Sequence, residues 1–113
     1  MYCMPEEGIC KKSHEDMLTL EEIYQFVEAC SRLGVKKVRI TGGEPLVRKG
    51  LAGLIGQLAQ LQDIKEIALT TNGVLLSQYA AELKEAGLHR VNISLDTLSE
   101  EKYQYITRGG KLQ

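Results

Sequence analysis

Residues 40–45 read Ile-Thr-Gly-Gly-Glu-Pro and mark the end of a predicted strand. The β-type run Lys37–Thr41 leads into this segment, and an apolar-periodic stretch follows it. Two glycines directly after a strand allow the backbone to come close to a ligand, because neither carries a Cβ atom. Glu44 adds a carboxylate suited to receive an ammonium group, and Pro45 ends strand pairing. The segment therefore predicts a binding turn rather than an ordinary tight turn.

Helical and strand patterns alternate on both sides of this turn. Residues 1–18 read as a loop, and Thr19-x-x-Glu22 then has the form of a capping box that begins a helix ending near Gly34. Five further elements are predicted downstream of the turn: a helix near Arg48–Leu61, a strand over Ile64–Thr70, a helix near Ser77–Ala86, a strand over Arg90–Ser94 and a helix from about Thr97 to Ile106. A second capping box, Thr97-x-x-Glu100, begins the last helix. Strands that alternate with helices of this length pair in parallel.

Each of the three predicted strands carries one polar face. The apolar positions, which are expected to face the helices, are Val38, Ile40, Ile67, Leu69, Val91, Ile93 and Leu95. The opposite face carries Arg39, Thr41, Ala68, Thr70, Asn72, Asn92, Ser94 and Asp96. The alternative to a ligand site is that these polar groups satisfy one another in a buried network.

A polar surface inside the sheet favours a barrel over a flat, doubly wound sheet. The strand centres recur at roughly 25 to 30 residues, about the unit size of a ~250-residue eightfold barrel. The predicted fold is therefore α/β, a partial (β/α) barrel of the TIM type with about three parallel strands and four helices. Such folds bind their ligands at the C-terminal ends of the strands.

The composition is that of a globular protein domain or of a part of one. The chain has 113 residues and a net charge of −1, which gives no indication of a nucleic-acid partner. No apolar run is long enough to span a bilayer and no signal peptide is present, so a cytoplasmic protein without a membrane partner is expected. Cys30 lies on the apolar stripe of the first helix and is expected in the core. Because the chain begins in a loop and stops without a closing strand, residues 1–113 are expected to be part of a single domain truncated at both ends.

Four short motifs, in this order, resemble the radical SAM superfamily. They are Tyr-Cys-Met-Pro at residues 2–5, Thr-Gly-Gly-Glu-Pro at 41–45, Thr-Thr-Asn-Gly at 70–73 and Asn-Ile-Ser-Leu-Asp-Thr at 92–97. Within that superfamily, residues 4–8 and 103–112 are similar to the GTP cyclases of molybdenum-cofactor biosynthesis. The resemblance covers essentially the whole chain, and it implies a 4Fe-4S cluster and S-adenosylmethionine (SAM) as cofactors.

The resemblance also implies which residues bind these two cofactors. Cys3 matches the last of three cysteines that ligate the cluster, and the first two would lie upstream of the first residue of this chain. Tyr2, Gly43 and Ser94 match SAM contacts, with Glu44 as support. With one cluster cysteine only, the chain by itself is expected to be inactive, and no catalytic side chain is assigned.

The substrate implied by the resemblance is GTP. Arg39 and Thr70 match GTP contacts, and the guanidinium of Arg39 suits a polyanionic triphosphate. Arg39 is alternatively an ion-pair partner of Asp96, and Asn72 and Asp96 are either ligand contacts or supports. The implied reaction begins with one-electron cleavage of SAM to a 5′-deoxyadenosyl radical, which removes the ribose 3′ hydrogen of GTP. The sugar radical then joins C8 of guanine, giving a cyclic dihydro-GTP in the first step of molybdopterin synthesis.

Other functions remain open at this point. One is a different radical SAM enzyme, acting on a peptide or in haem synthesis, that shares the SAM-binding half. Another is a non-catalytic nucleotide-binding fragment. For the intact enzyme the resemblance implies an electron donor as a partner and leaves a homodimer as one option.

Overall fold

A computed structural model of the chain describes residues 17–112. These residues form two compact units: Leu18–Ser94, called the larger unit here, and Met17 with residues 95–112, called the smaller unit. The strands and three of the helices belong to the larger unit. None of the helices within residues 17–112 is long and apolar enough to cross a membrane.

The first helix, α1, spans Leu20–Arg32 and begins at the predicted capping box. The Thr19 hydroxyl oxygen accepts a hydrogen bond from the Glu22 amide at 3.1 Å, and the Glu22 carboxylate accepts one from the Thr19 amide at 2.7 Å. Two backbone donors that a helix start leaves unpaired are thereby satisfied. At the other end, Gly34 has a φ of 101°, the left-handed conformation that glycine adopts most easily. Both predicted ends of this helix are confirmed.

Within residues 17–112, three parallel strands form one sheet in the order β1-β2-β3, with β1 over Lys37–Ile40, β2 over Glu66–Thr71 and β3 over Arg90–Ile93. The register pairs Ile40 with Leu69, and Leu69 with Val91. Helix α2, Leu51–Ala59, connects β1 to β2, and α3, Leu76–Ala86, connects β2 to β3. The predicted α/β class with parallel strands is confirmed, and an open three-stranded sheet of this kind is consistent with part of a TIM-type barrel.

The chain between β1 and α2 differs from the prediction of a helix from Arg48. Pro45–Val47 forms a short 3-10 helix, and α2 begins only after Gly50, whose φ is 83°. An added Cβ atom at Gly50 would lie 2.8 Å from Leu20 Cδ1 and would displace the end of that side chain, and the positive φ itself favours glycine. Proline at the first position of the 3-10 helix supplies a fixed φ where no backbone donor is needed. The turn after β1 is therefore a structured element of its own.

The core lies between the sheet and the three helices of the larger unit, and β2 is at its centre. Ile67 and Leu69 are fully buried, as predicted for positions that face the helices. Ile93 pairs with Thr71 in the helix-facing row of β2, as predicted, but it is 56% exposed because the helix layer leaves the end of β3 open to solvent. The core residues are Leu46, Leu51, Leu54, Ile55, Leu58, Ile64, Ile67, Leu69 and Leu83.

The smaller unit contains α4, Glu100–Thr107. Its N-cap is Ser99, and the predicted capping box at Thr97 and Glu100 is wrong. The Thr97 hydroxyl oxygen instead accepts from the Ser99 amide at 3.1 Å, a local turn that delays the helix start. Arg108 ends the helix with a φ of 59°, the only non-glycine residue with a positive φ among residues 17–112.

Candidate functional site

The carboxylate of Glu44 joins the end of β1 to the end of β2. Its Oε1 atom accepts hydrogen bonds from the Leu46 amide at 3.1 Å and from the Thr71 hydroxyl at 2.7 Å. Its Oε2 atom accepts one from the Asn72 amide at 2.7 Å. The sequence suggested that this carboxylate receives an ammonium group. In the structure it accepts hydrogen bonds from three donors of the protein itself. We call this arrangement of Glu44, Leu46, Thr71 and Asn72 the Glu44 clamp.

The two glycines before Glu44 border open space. An added Cβ atom at Gly42 or at Gly43 would meet no heavy atom within 4 Å among the described residues. Gly42 has a φ of 149°, a conformation that residues with side chains rarely adopt, whereas Gly43 has no such φ. Backbone geometry therefore favours glycine at position 42, and the space beside Gly43 is open to approach from outside the turn.

The turn after β2 is fixed from within. Thr71 is 2% exposed, and its hydroxyl oxygen accepts from the Gly73 amide at 3.1 Å while it donates to Glu44. The Asn72 side-chain oxygen accepts from the Val74 amide at 2.9 Å, an Asx turn. A Cβ atom at Gly73, whose φ is 83°, would lie 3.0 Å from a methyl carbon of Ile93. Asn72 therefore acts here as a support of the turn, one of the two roles that the sequence left open.

The predicted substrate residues lie on the side of the sheet that faces away from the helices. In the parallel register Thr70 pairs with Asn92, and Arg39 pairs with Ala68, two residues before Thr70 on the same face. Arg39 is exposed and forms no ion pair within residues 18–94. The Ser94 amide donates to the Thr71 carbonyl at 2.9 Å, which places Ser94 directly beyond β3. Gly43, Thr70 and Ser94 thus lie at or just beyond the C-terminal ends of three adjacent strands.

The predicted SAM and cluster residues at the start of the chain are not placed by the structure. Tyr2 and Cys3 lie outside the described residues, as does Cys10. Asp96 belongs to the smaller unit. Cys30 lies half-buried on α1, and within residues 17–112 no group of three potential metal ligands occurs. The cluster site is therefore not tested by the described part of the chain.

Sequence reasoning missed Thr71 and His89. It selected Thr70 for the polar face and left its neighbour without a role, although a hydroxyl in the row of Ile67 and Leu69 needs a partner when buried. His89 is exposed and lies directly before β3. Its Nδ1 atom accepts from the Ile67 amide at 3.1 Å, and its own amide donates to the Ile67 carbonyl at 3.0 Å, so it continues the pairing of β3 with β2.

A separate, largely apolar groove runs along β1, with a cavity volume of about 450 Å³. Its walls come from α1, β1 and α2, and Phe26 on α1 is 68% exposed beside it. Within residues 17–112, β1 pairs only with β2, so its other edge lies along this groove. Its lining includes Arg39, Thr41 and Pro45, so the groove reaches the end of β1 and borders the predicted GTP contact Arg39.

Three features indicate the class of protein. They are the parallel α/β architecture, the Gly-Gly-Glu-Pro turn at a strand end and the polar residues at the neighbouring strand ends. The family model of the radical SAM superfamily matches residues 1–113, and the chain belongs to that superfamily. Membership implies a 4Fe-4S cluster and S-adenosylmethionine as the cofactors. The open space beside Gly42 and Gly43 fits a small molecule that approaches the backbone there.

Curated relatives narrow the comparison further. The chain is 61% identical over 113 residues to the GTP 3′,8-cyclase of Peptoclostridium acidaminophilum. The matched segment is 100% of this chain and 35% of the relative. It is 61% identical over 111 residues to the GTP 3′,8-cyclase of Alkaliphilus oremlandii, strain OhILAs. That match includes 98% of this chain and 35% of the relative. The GTP 3′,8-cyclase of Clostridium botulinum, strain Hall, is 52% identical over 112 residues. The chain thus spans about a third of the length of the curated relatives it matches.

Proposed function

We propose that this chain is the SAM-binding part of a radical SAM GTP 3′,8-cyclase. The enzyme converts GTP to (8S)-3′,8-cyclo-7,8-dihydroguanosine 5′-triphosphate, the first step of molybdenum-cofactor biosynthesis. The observation that carries the proposal is the similarity of all 113 residues, at 61% identity, to a protein of that name. The geometry supports it, because a glycine backbone open to solvent lies at the C-terminal edge of a parallel sheet, where such folds bind ligands.

On the cofactor side, Gly43, Ser94 and Tyr2 contact SAM and Cys3 ligates the cluster. When bound, the cluster and SAM supply the one-electron chemistry. The residues of this chain bind and orient the reactants and exclude water. Gly43 contributes by having no side chain between its backbone and the ligand, and the Glu44 clamp keeps that backbone in place.

On the substrate side, Arg39 and Thr70 contact GTP. Arg39 is exposed on the polar face and forms no ion pair within residues 18–94, so its guanidinium has donors available for phosphate oxygens. Thr70 lies on the same face and offers a hydroxyl that both donates and accepts. An electron donor as redox partner, a cytoplasmic location and the option of a homodimer complete the proposal for the intact enzyme.

A chimera tests the proposed function. In it, the 113 residues of this chain replace the matching segment of the Peptoclostridium acidaminophilum cyclase. After anaerobic cluster reconstitution, the chimera is given SAM, dithionite and GTP, and the products are separated by chromatography and weighed by mass spectrometry. The expected result is loss of GTP together with formation of 5′-deoxyadenosine and a cyclic product of the same mass as GTP.

The alternatives give different products in the same assay. Cleavage of SAM with GTP left intact would contradict the substrate and favour a radical SAM enzyme with another substrate. A chimera that holds its cluster but binds neither SAM nor GTP would favour a non-catalytic role for this segment. The unmodified cyclase is the matched control, because it shares everything except the exchanged residues.

A further inference from the structure

Thr71 carries a buried hydroxyl that has one hydrogen-bond partner in the turn after β1 and one in the turn after β2. It is 2% exposed, and it shares the helix-facing row of β2 with Ile67 and Leu69, which are fully buried. Its hydroxyl donates to Glu44 at 2.7 Å and accepts from the Gly73 amide at 3.1 Å. Both the donor and the acceptor capacity of this hydroxyl are used, so its orientation is determined by the two turns together.

The partner of Thr71 directly follows the open glycines. Glu44 is covalently next to Gly43, and its side chain is the link between the turn after β1 and the turn after β2. Hydrogen bonds to a charged carboxylate are stronger than bonds between neutral groups, and a half-buried position reduces competition from water. Fixing the side chain of Glu44 therefore fixes the peptide that follows Gly43.

We propose that Thr71 is a positioning residue for SAM binding. Its hydroxyl orients the carboxylate of Glu44, and Glu44 in turn holds the backbone at Gly42 and Gly43 in the conformation that receives the cofactor. Thr71 acts through Glu44 and does not itself touch the ligand. The inference rests on the proposed function, because it takes SAM as the ligand of this turn.

Two substitutions separate the hydroxyl from the shape of the side chain. Thr71→Val keeps the branched shape and removes the hydroxyl, whereas Thr71→Ser keeps the hydroxyl and removes a methyl group. Ser31→Ala is a matched control: Ser31 is the other buried polar residue among residues 17–112, and its hydroxyl bonds to the Glu28 carbonyl on α1, away from the strand ends. All three variants are made in the chimera and, separately, in the 113-residue chain.

The first arm measures SAM and GTP affinity of the reconstituted chimeras by isothermal titration calorimetry. Thr71→Val is expected to weaken SAM binding about five- to tenfold, the equivalent of losing one hydrogen bond, while GTP affinity stays within about twofold. Thr71→Ser is expected to restore SAM affinity to within about twofold of the wild type. Ser31→Ala is expected to lower the melting temperature without changing SAM affinity.

The second arm measures amide hydrogen exchange in the 113-residue chain. Thr71→Val is expected to speed exchange of the Asn72 and Gly73 amides, and Thr71→Ser to leave it close to the wild type. These readouts need neither the cluster nor activity.

The outcomes distinguish this inference from the proposed function. Unchanged SAM affinity in Thr71→Val, or an equal loss in Ser31→Ala, would overturn the positioning role and leave the proposed function standing. A wild-type chimera that holds a cluster but binds no SAM would overturn the proposed function, and with it the role of Thr71 in cofactor binding. In that case, the exchange measurement still decides whether Thr71 fixes the turn.

Discussion

A substitution at Gly43 is expected to affect cofactor binding with little effect on the stability of the fold. A Cβ atom there would meet no heavy atom within 4 Å, and the residue has no left-handed φ. Gly43→Val is therefore expected to change the free energy of unfolding by less than about 1 kcal/mol. In the chimera it is expected to abolish SAM binding, because the branched side chain occupies the space through which the ligand approaches the backbone.

Calorimetric titration with SAM and thermal unfolding of the same samples check this prediction. Gly53→Val is the matched control, since Gly53 lies on α2 and an added Cβ there also meets open space. Tight SAM binding by Gly43→Val would mean that the cofactor approaches the turn from another side.

A substitution at Arg39 is expected to affect GTP binding and not SAM binding. Arg39→Ala is expected to weaken GTP binding by roughly 10- to 100-fold, because a charge-assisted contact with the triphosphate is lost. SAM affinity is expected to stay unchanged, since Arg39 lies before the Gly-Gly-Glu-Pro turn, on the sheet face that bears Thr70. Separate titrations with GTP and SAM give the test. Loss of SAM affinity with GTP affinity retained would show that this face of the sheet has been assigned the wrong ligand.

At the scale of elements, β1 combines an edge that has no strand partner within residues 17–112 with an apolar groove of about 450 Å³. Unpaired edges and exposed apolar surface both favour association, and in a solution of this chain alone the available occupant is a second copy. The 113-residue chain is therefore expected to self-associate. Size-exclusion chromatography with light scattering measures the mass as a function of concentration.

A variant tests whether the groove causes this association. Phe26 is 68% exposed beside it, so Phe26→Ser is expected to reduce the associated fraction without unfolding α1. A wild-type chain that remains monomeric at about 100 µM and unfolds cooperatively would contradict the prediction.

The helices and turns show which elements are predictable from local sequence. Thr19 and Thr97 both begin a capping-box pattern, yet only Thr19 caps a helix. Ser99, two residues after Thr97, is the N-cap by position, although its side chain makes no capping hydrogen bond, and a pattern of residue types does not predict that shift. The Pro-containing 3-10 helix before α2 was missed, because the apolar period continues through it.

At the scale of the whole molecule, the 113-residue chain is expected to bind no stable 4Fe-4S cluster. The resemblance assigns one cluster ligand, Cys3, to this chain, and a single thiolate cannot replace the three that the cluster needs. Anaerobic reconstitution followed by iron and sulfide analysis checks this, with the chimera as the positive control. Near-stoichiometric iron and sulfide on a monomer of this chain would contradict it.

The order of elements, the parallel sheet and its polar face were all predictable, because they follow from hydrophobic periodicity and from the crossovers that parallel strands need. The partners of Glu44 were not. Its donors include Thr71 and Asn72, which are 27 and 28 residues away in sequence. The role of His89 likewise depends on an amide 22 residues away. Hydrophobic periodicity predicts which face of a strand a side chain occupies. These hydrogen bonds depend instead on which turns and strands, distant in sequence, become neighbours in the fold.

The sequence distance across the Glu44 clamp also has a consequence for the order of folding events. The sequence separation of 27 residues from Glu44 to Thr71 spans all of α2 and most of β2, so the bond closes a loop around a helix–strand unit. The entropy of closing that loop is lost before the carboxylate meets its donors, and packing of α2 together with pairing of β2 is what offsets it. We therefore expect the clamp to form late in folding, so that its loss appears mainly as faster unfolding rather than slower folding.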